Sequence, residues 1–295
     1  MENVSENIQY YRKIIGMTRK ELADGICDPS TLFRIEKGEQ MPRIDVLTAI
    51  CHKLMVPIDF MVSHLSNRQL SEIEKYKRLC REATYHGDFH SLSIILEEFK
   101  NFMNNLDDGP EIHIVKRFIK WHDAIYSHEA ENDLMKAQHI LKEIYNGHIY
   151  TELDIGICNS LGYIKIYSES IDFSMPYFKA AHNALNKLPY VSDKTLPSLV
   201  GYNLAYCYYY QWNLDEAITV CYQVLEHLEM NQLIYKLGDT KHMLAKIHQR
   251  LGEYELAHDL LKQSIHLFHI EANTYKHNKS IKDLQDLEEL MGIVE

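Results

Sequence analysis

"MTRKELADGICDPSTLFRIEKGEQMP", residues 17–42, holds two short helical patterns parted by a brief turn. Thr18 followed three residues later by Glu21 is a capping box, in which each side chain satisfies a backbone N–H of the other. Leu22, Ala23 and Ile26 supply the inner face of the helix it starts. Asp28-Pro29 then opens a second helix: Asp28 caps it, and Pro29 suits a first helical position whose N–H has no partner in any case. Leu32 and Ile35 of this helix face inward, Phe33 is its third apolar residue, and Gly38 stops it.

The pattern extends both ways from that stretch. Residues 4–15 read as a helix with Ile8, Tyr11, Ile14 and Ile15 on one face. A fourth helix spans about 44–55 with Val46, Leu47, Ile50 and Leu54 at core spacing, and Pro57 starts a last one in which Phe60 and Met61 pack back. Five short helices with a tight turn between the second and third are the plan of a helix-turn-helix domain, expected over residues 1–66.

Composition narrows the function classes. The chain has 295 residues and a formal charge of −11. Residues 1–70 hold nine basic and nine acidic residues, so the whole excess lies in the remainder. An acidic body repels nucleic acid, which leaves any DNA contact to the front segment. Cys27, Cys51, Cys80, Cys158, Cys207 and Cys221 form no C-x-x-C pair and read as reduced thiols. No signal run and no membrane-length apolar stretch occurs, so a cytoplasmic protein without membrane association is expected. The 17 histidines lie in no metal-binding or catalytic pattern. His122 and His128 are six apart, and His266 and His269 lack a partner carboxylate. No enzyme, metal or cofactor is expected.

Residues 67–84 continue as one helix without Gly or Pro, a stiff connector. Beyond it a turn block recurs as "SIDFSMPYF" at 170–178, "WNLDEAITV" at 212–220 and "GEYELAHDL" at 252–260, with weaker copies "HGDFHSLSI" at 86–94 and "ENDLMKAQHI" at 131–140. Pro176, Ala217 and Ala257 are taken as corresponding positions, 41 and 40 residues apart. A helix-turn-helix period near 40 signals an all-α solenoid. Residues 85–295 are therefore expected to form about five helix pairs with a capping helix at about 279–291. The blocks resemble tetratricopeptide (TPR) repeats, which implies a right-handed solenoid whose inner helices line a concave groove suited to a peptide or another protein's segment. Its tyrosine-rich walls, Tyr202 and Tyr206 among them, are amphipathic. Asn203, and Asn159 one unit earlier, offer an amide donor and acceptor to a peptide backbone. Lys241 and His242 stand at the equivalent place one unit later, and Lys165 can meet a carboxylate.

The front segment resembles the phage-repressor-like (XRE) family in "MTRKELA", "STLFRIEKG" and "PRIDVLTAICHKLMVPIDFM". That resemblance implies a third helix lying in the major groove, with Ser30, Thr31 and Arg34 at base edges and Phe33 against a thymine methyl. It implies Arg19, Lys20, Lys37 and Arg43 at phosphates, and Arg12 and Glu36 as an ion pair bracing the first helix on the third.

With TPR-like units behind such a domain, the chain resembles the RRNPP family of Gram-positive peptide-sensing regulators, in particular its PlcR-like branch. The resemblance implies a homodimeric, quorum-sensing transcription regulator. It would bind a palindromic double-stranded operator, and a short signalling peptide in the TPR groove would control that binding. The repeats would also carry dimerisation. An adaptor whose repeats bind a partner protein, and a repressor whose repeats only dimerise, are the alternatives.

Overall fold

The computed structural model describes residues 2–63, 65, 67–106 and 109–293, which form sixteen α-helices and, among the described residues, no strand. They divide into two compact units, Met1–Arg81 and Glu82–Glu295. The expected boundary residue Ser66 lies outside the described residues, and one helix, α6 (Asn67–His86), runs across the division.

The first unit comprises α1 (Glu2–Ile15), α2 (Arg19–Ala23), α3 (Pro29–Glu36), α4 (Ile44–Leu54) and α5 (Ile58–Val62). Its caps are local. Thr18 Oγ1 accepts from the Glu21 N–H at 3.2 Å while Glu21 accepts from the Thr18 N–H at 2.7 Å. Asp28 accepts from the Ser30 N–H at 2.8 Å. Gly38 ends α3 at φ +72°, a conformation that side chains with a Cβ avoid. Ile8, Leu22, Leu32, Ile35, Ile50 and Met61 are fully buried and make one core. Asn7 ties α1 to α5 by donating to the Phe60 and Met61 carbonyls at 3.1 and 3.2 Å. The face expected for α1 is corrected: Val4, Ile8 and the Arg12 side chain turn inward, while Ile14 and Ile15 are exposed at its last turn. The inward place in that turn goes to Arg12, because α3 offers it a buried carboxylate.

The second unit stacks α7 (Phe89–Met103), α8 (Pro110–Glu129), α9 (Leu134–Ile144), α10 (Glu152–Ser168), α11 (Ile171–Leu185), α12 (Leu196–Tyr210), α13 (Leu214–Met230), α14 (Leu237–Arg250), α15 (Tyr254–Ile270) and α16 (Thr274–Met291). All five turn blocks start a helix: α7, α9, α11, α13 and α15. Helices α8, α10, α12 and α14 pack on one another in succession and form the inner layer; α9, α11, α13 and α15 pack on them from outside. This is the expected TPR-like solenoid, closed by α16.

One feature of the repeat register differs. The fourth residue of each outer helix is fully buried: Leu92, Ala137, Ser174, Ala217 and Ala257. Ser174, not Pro176, therefore corresponds to Ala217, because α11 begins at Ile171; Pro176 is exposed on the same helix. Ser174 Oγ reaches Cys207 Sγ of α12 at 3.3 Å, linking one unit to the next. Within a pair the helices approach closely at glycine. A Cβ at Gly201 of α12 would lie 2.4 Å from Val224 Cγ2 of α13, and one at Gly238 of α14 would lie 2.8 Å from the Phe268 ring of α15.

Candidate nucleic-acid interface and the inner wall of the repeats

On α3 the residues Leu32, Ile35 and Glu36 are buried, while Ser30, Phe33, Arg34 and Lys37 are exposed. Their spacing places those four on one outward stripe. Thr31 lies half-buried beside it. The Ser30 hydroxyl donates to Asp28 at 2.5 Å, so this residue completes the cap of the helix. The Arg34 guanidinium is exposed and makes no ion pair among the described residues. Lys20 and Arg43 are exposed, and Arg43 meets only the exposed Asp45 at 3.4 Å.

Beneath the stripe, Glu36 has no exposed side-chain surface. Arg12 grips it with both arms, Nε to Oε1 at 2.5 Å and Nη2 to Oε2 at 3.0 Å, and uses Nη1 on the Met17 carbonyl at 2.8 Å. Arg19 adds a third bond, Nε to Glu36 Oε2 at 2.7 Å, and sets its guanidinium 5.0 Å from the centre of the Phe33 ring. Burial pushes the Glu36 carboxyl up, but the hydrogen bonds and charges of Arg12 and Arg19 outweigh that and hold it below the ordinary range. The sequence pattern offered no sign of the Arg19 tie, which is made across two helices.

The inner layer of the second unit carries clusters of aromatic side chains. His128 of α8 lies 5.5 Å from Tyr163 and 5.1 Å from Tyr167 of α10, whose hydroxyls meet at 3.1 Å. Tyr206 and Tyr210 of α12 pack ring to ring at 4.6 Å, and Lys236 caps the Tyr202 ring at 4.9 Å. Burial raises the Tyr163, Tyr202 and Tyr206 hydroxyls well above their ordinary pKa, so all three remain neutral donors. Asn159 and Asn203 meet between α10 and α12: Asn203 Nδ2 donates to Asn159 Oδ1 at 3.1 Å. Both residues are buried, and that bond uses neither the Asn159 amide N–H groups nor the Asn203 side-chain carbonyl.

The cations expected beside the wall each have a partner within the second unit. Lys165 pairs with Glu169 one turn on. Lys241 leans outward and donates to Gln263 of α15 at 2.7 Å. His242 spans α14 to α16, with Nε2 3.0 Å from Asp283 and Nδ1 2.8 Å from the Ser280 hydroxyl. Asp239, nearly buried in the first turn of α14, accepts from Lys276 at 2.9 Å. Burial raises its carboxyl, and Lys236 and Lys276 more than reverse that. At the edge of this cluster the Tyr85 ring, at the end of α6, packs on Tyr235 at 4.5 Å. Sequence spacing could not find that contact, since 150 residues separate the pair. The buried thiols are poor nucleophiles; burial pushes Cys158 up to about 11 and Cys221 up to about 12.

Residues 8–61 match the helix-turn-helix family HTH_3. No curated protein matches the sequence. Among solved structures, that of Bacillus thuringiensis PlcR in complex with the peptide PapR7 and DNA superposes with a TM-score of 0.80 at 21% identity, over 94% of this chain and 99% of that one. ComR from S. thermophilus, in complex with DNA and its signalling peptide ComS, gives 0.64 at 15% identity, over 96% and 99%. The Streptococcus dysgalactiae SHP pheromone receptor Rgg2 gives 0.55 at 13%, over 96% and 99%. The chain thus carries a helix-turn-helix domain at residues 8–61 and, over nearly its whole length, has the fold of PlcR, ComR and Rgg2.

Proposed function

We propose that this chain is a cytoplasmic, homodimeric transcription regulator. Its α3 reads an operator in double-stranded DNA, and a short signalling peptide on the inner wall of the repeats controls that binding. One observation carries the reading. A single chain combines an outward stripe of Ser30, Phe33, Arg34 and Lys37 with an aromatic, amide-bearing wall, on a fold that PlcR displays in complex with a peptide and DNA. The activity proposed is binding and not catalysis. Among the described residues no helix is long and apolar enough to cross a membrane.

Arg34 supplies a fork of donors that matches guanine O6 and N7 in the major groove. Lys20, Lys37 and Arg43 would meet phosphates, which fix register without reading sequence. On the wall, the Asn159 donor and Asn203 acceptor match the carbonyl and N–H of one extended peptide unit, with tyrosine rings for its side chains. The front domain, residues 1–66, and the repeats, 85–295, are joined through α6. A dimer must set two reading helices about 34 Å apart, or at a multiple of that. Coupling between peptide and DNA is reciprocal and typically worth about 1–3 kcal/mol. The test is fluorescence anisotropy of the full-length protein on a selected operator, titrated with synthetic peptides encoded beside its gene. The reading expects one of them to shift operator affinity at least about fivefold. If none does, peptide control is lost; a stoichiometric protein partner would then favour the adaptor alternative.

A further inference from the structure

Arg19, which the resemblance implies at a phosphate, also makes contacts within the first unit. Its Nε is bound to Glu36 at 2.7 Å, and its guanidinium lies against the Phe33 ring at 5.0 Å. Lys37 stands on the same ring at 6.0 Å. Glu36 is itself locked by the two-armed Arg12 contact. A chain of fixed contacts thus runs from α1 through α3 to α2 and ends on one aromatic ring. That ring is 41% exposed in the middle of the outward stripe. An exposed phenylalanine on a free surface helix would swing between rotamers; this one has the Arg19 guanidinium and the Lys37 ammonium over its ring.

Given the contact of Phe33 with a thymine methyl that the resemblance implies, we propose that Arg19 is the positioning residue that aims Phe33 at that methyl and is not a phosphate contact. This rests on the reading of α3 as a DNA-binding helix. The major groove displays the thymine methyl as its one apolar feature, and a pre-oriented ring is the matching surface. Arg19 suits the task because a planar guanidinium can hold a carboxylate with one edge and stack on an aromatic with its face; an ammonium has no flat face to stack.

The test starts from a randomised duplex library, selected with full-length protein at micromolar concentration. Peptide coupling is typically worth about 5–150-fold, so this concentration reaches sites even without peptide. Each thymine in the enriched site is then replaced by deoxyuridine, which removes only the methyl. At the Phe33 contact we expect about fourfold weaker binding per half-site, the fold-change that corresponds to about 0.8 kcal/mol for one buried CH2-sized group. Phe33→Ala should bind thymine and deoxyuridine equally. Arg19→Lys should keep the slope of log affinity against log salt while losing most of the thymine preference. A slope that flattens by about 0.9 on Arg19→Gln, with thymine preference intact, marks a phosphate contact and overturns the assignment of Arg19. Enrichment of sites with no sensitivity to deoxyuridine overturns the role of Phe33 while leaving DNA binding standing. No enrichment at all defeats the DNA-binding reading itself, and this inference with it.

Discussion

The two units are built on opposite principles. The first is a small core pinned by a buried carboxylate held by two arginines, Glu36 with Arg12 and Arg19. The second repeats one packing joint, a fully buried residue at the fourth position of each outer helix, small in four of the five, and glycine where paired helices cross. A unit of some 80 residues buries a modest fraction of its surface and leans on a few specific contacts, whereas a stack of hairpins spreads stability over many similar interfaces. The difference predicts that single changes will wound the units unequally, and each experiment below probes that.

The largest effect is expected at Glu36→Ala. Removing it leaves Arg12 buried without its partner, a loss of about 3–5 kcal/mol. In urea unfolding followed by tryptophan-independent circular dichroism, an early helical transition should separate from that of the repeats, whose midpoint should not move. A midpoint shift shared by both units would mean that they unfold as one body and would erase the contrast. The same pair sets an acid limit. The carboxyl of Glu36 is held below its ordinary value, so its contribution is complete above about pH 4.3 and is lost as pH falls through the lowered value. Acid titration of the wild type should weaken the front unit over that window, and Glu36→Gln should flatten its dependence on pH.

Next comes Gly201→Ala. Its Cβ has 2.4 Å to Val224, a stiff branched side chain, so α12 and α13 must move apart at a cost of about 1–3 kcal/mol. Here the repeats should lose stability and the DNA affinity measured without peptide should hold. Arg34→Ala reverses the outcome: about 1–3 kcal/mol of operator binding should vanish with both unfolding midpoints intact. The smallest effect is expected from Asn203→Ala, which removes one acceptor for a peptide backbone, worth about 1 kcal/mol, or roughly a fivefold loss of peptide affinity. If DNA affinity without peptide falls with it, the wall is not confined to sensing.

What could be read in advance follows the same division. Thr18 with Glu21, Asp28 with Pro29, and Gly38 announce helix ends because capping is settled within a few residues. The five turn blocks were legible for the same reason, and together they gave the solenoid. The register was not: Pro176 attracts the eye in "SIDFSMPYF", yet the residue that must be small is Ser174, decided by where α11 meets α12. Ile14 and Ile15 looked like core because periodicity counts apolar residues, whereas the inward place in that turn went to a charged one. The grip of Arg19 on Glu36, the Asn159–Asn203 bond and the outward lean of Lys241 depend on which helices become neighbours, which no local pattern encodes. The candidate residues on α3 are therefore legible in the sequence, and the contacts that orient them are not.

The Tyr85–Tyr235 contact carries one more consequence. In a linear array each hairpin feels only its neighbours, so the ends fray first, like an unclasped bracelet. Here the helix that enters the array touches the loop ahead of α14, three hairpins further along. Such a clasp makes melting of the first hairpin contingent on the later ones.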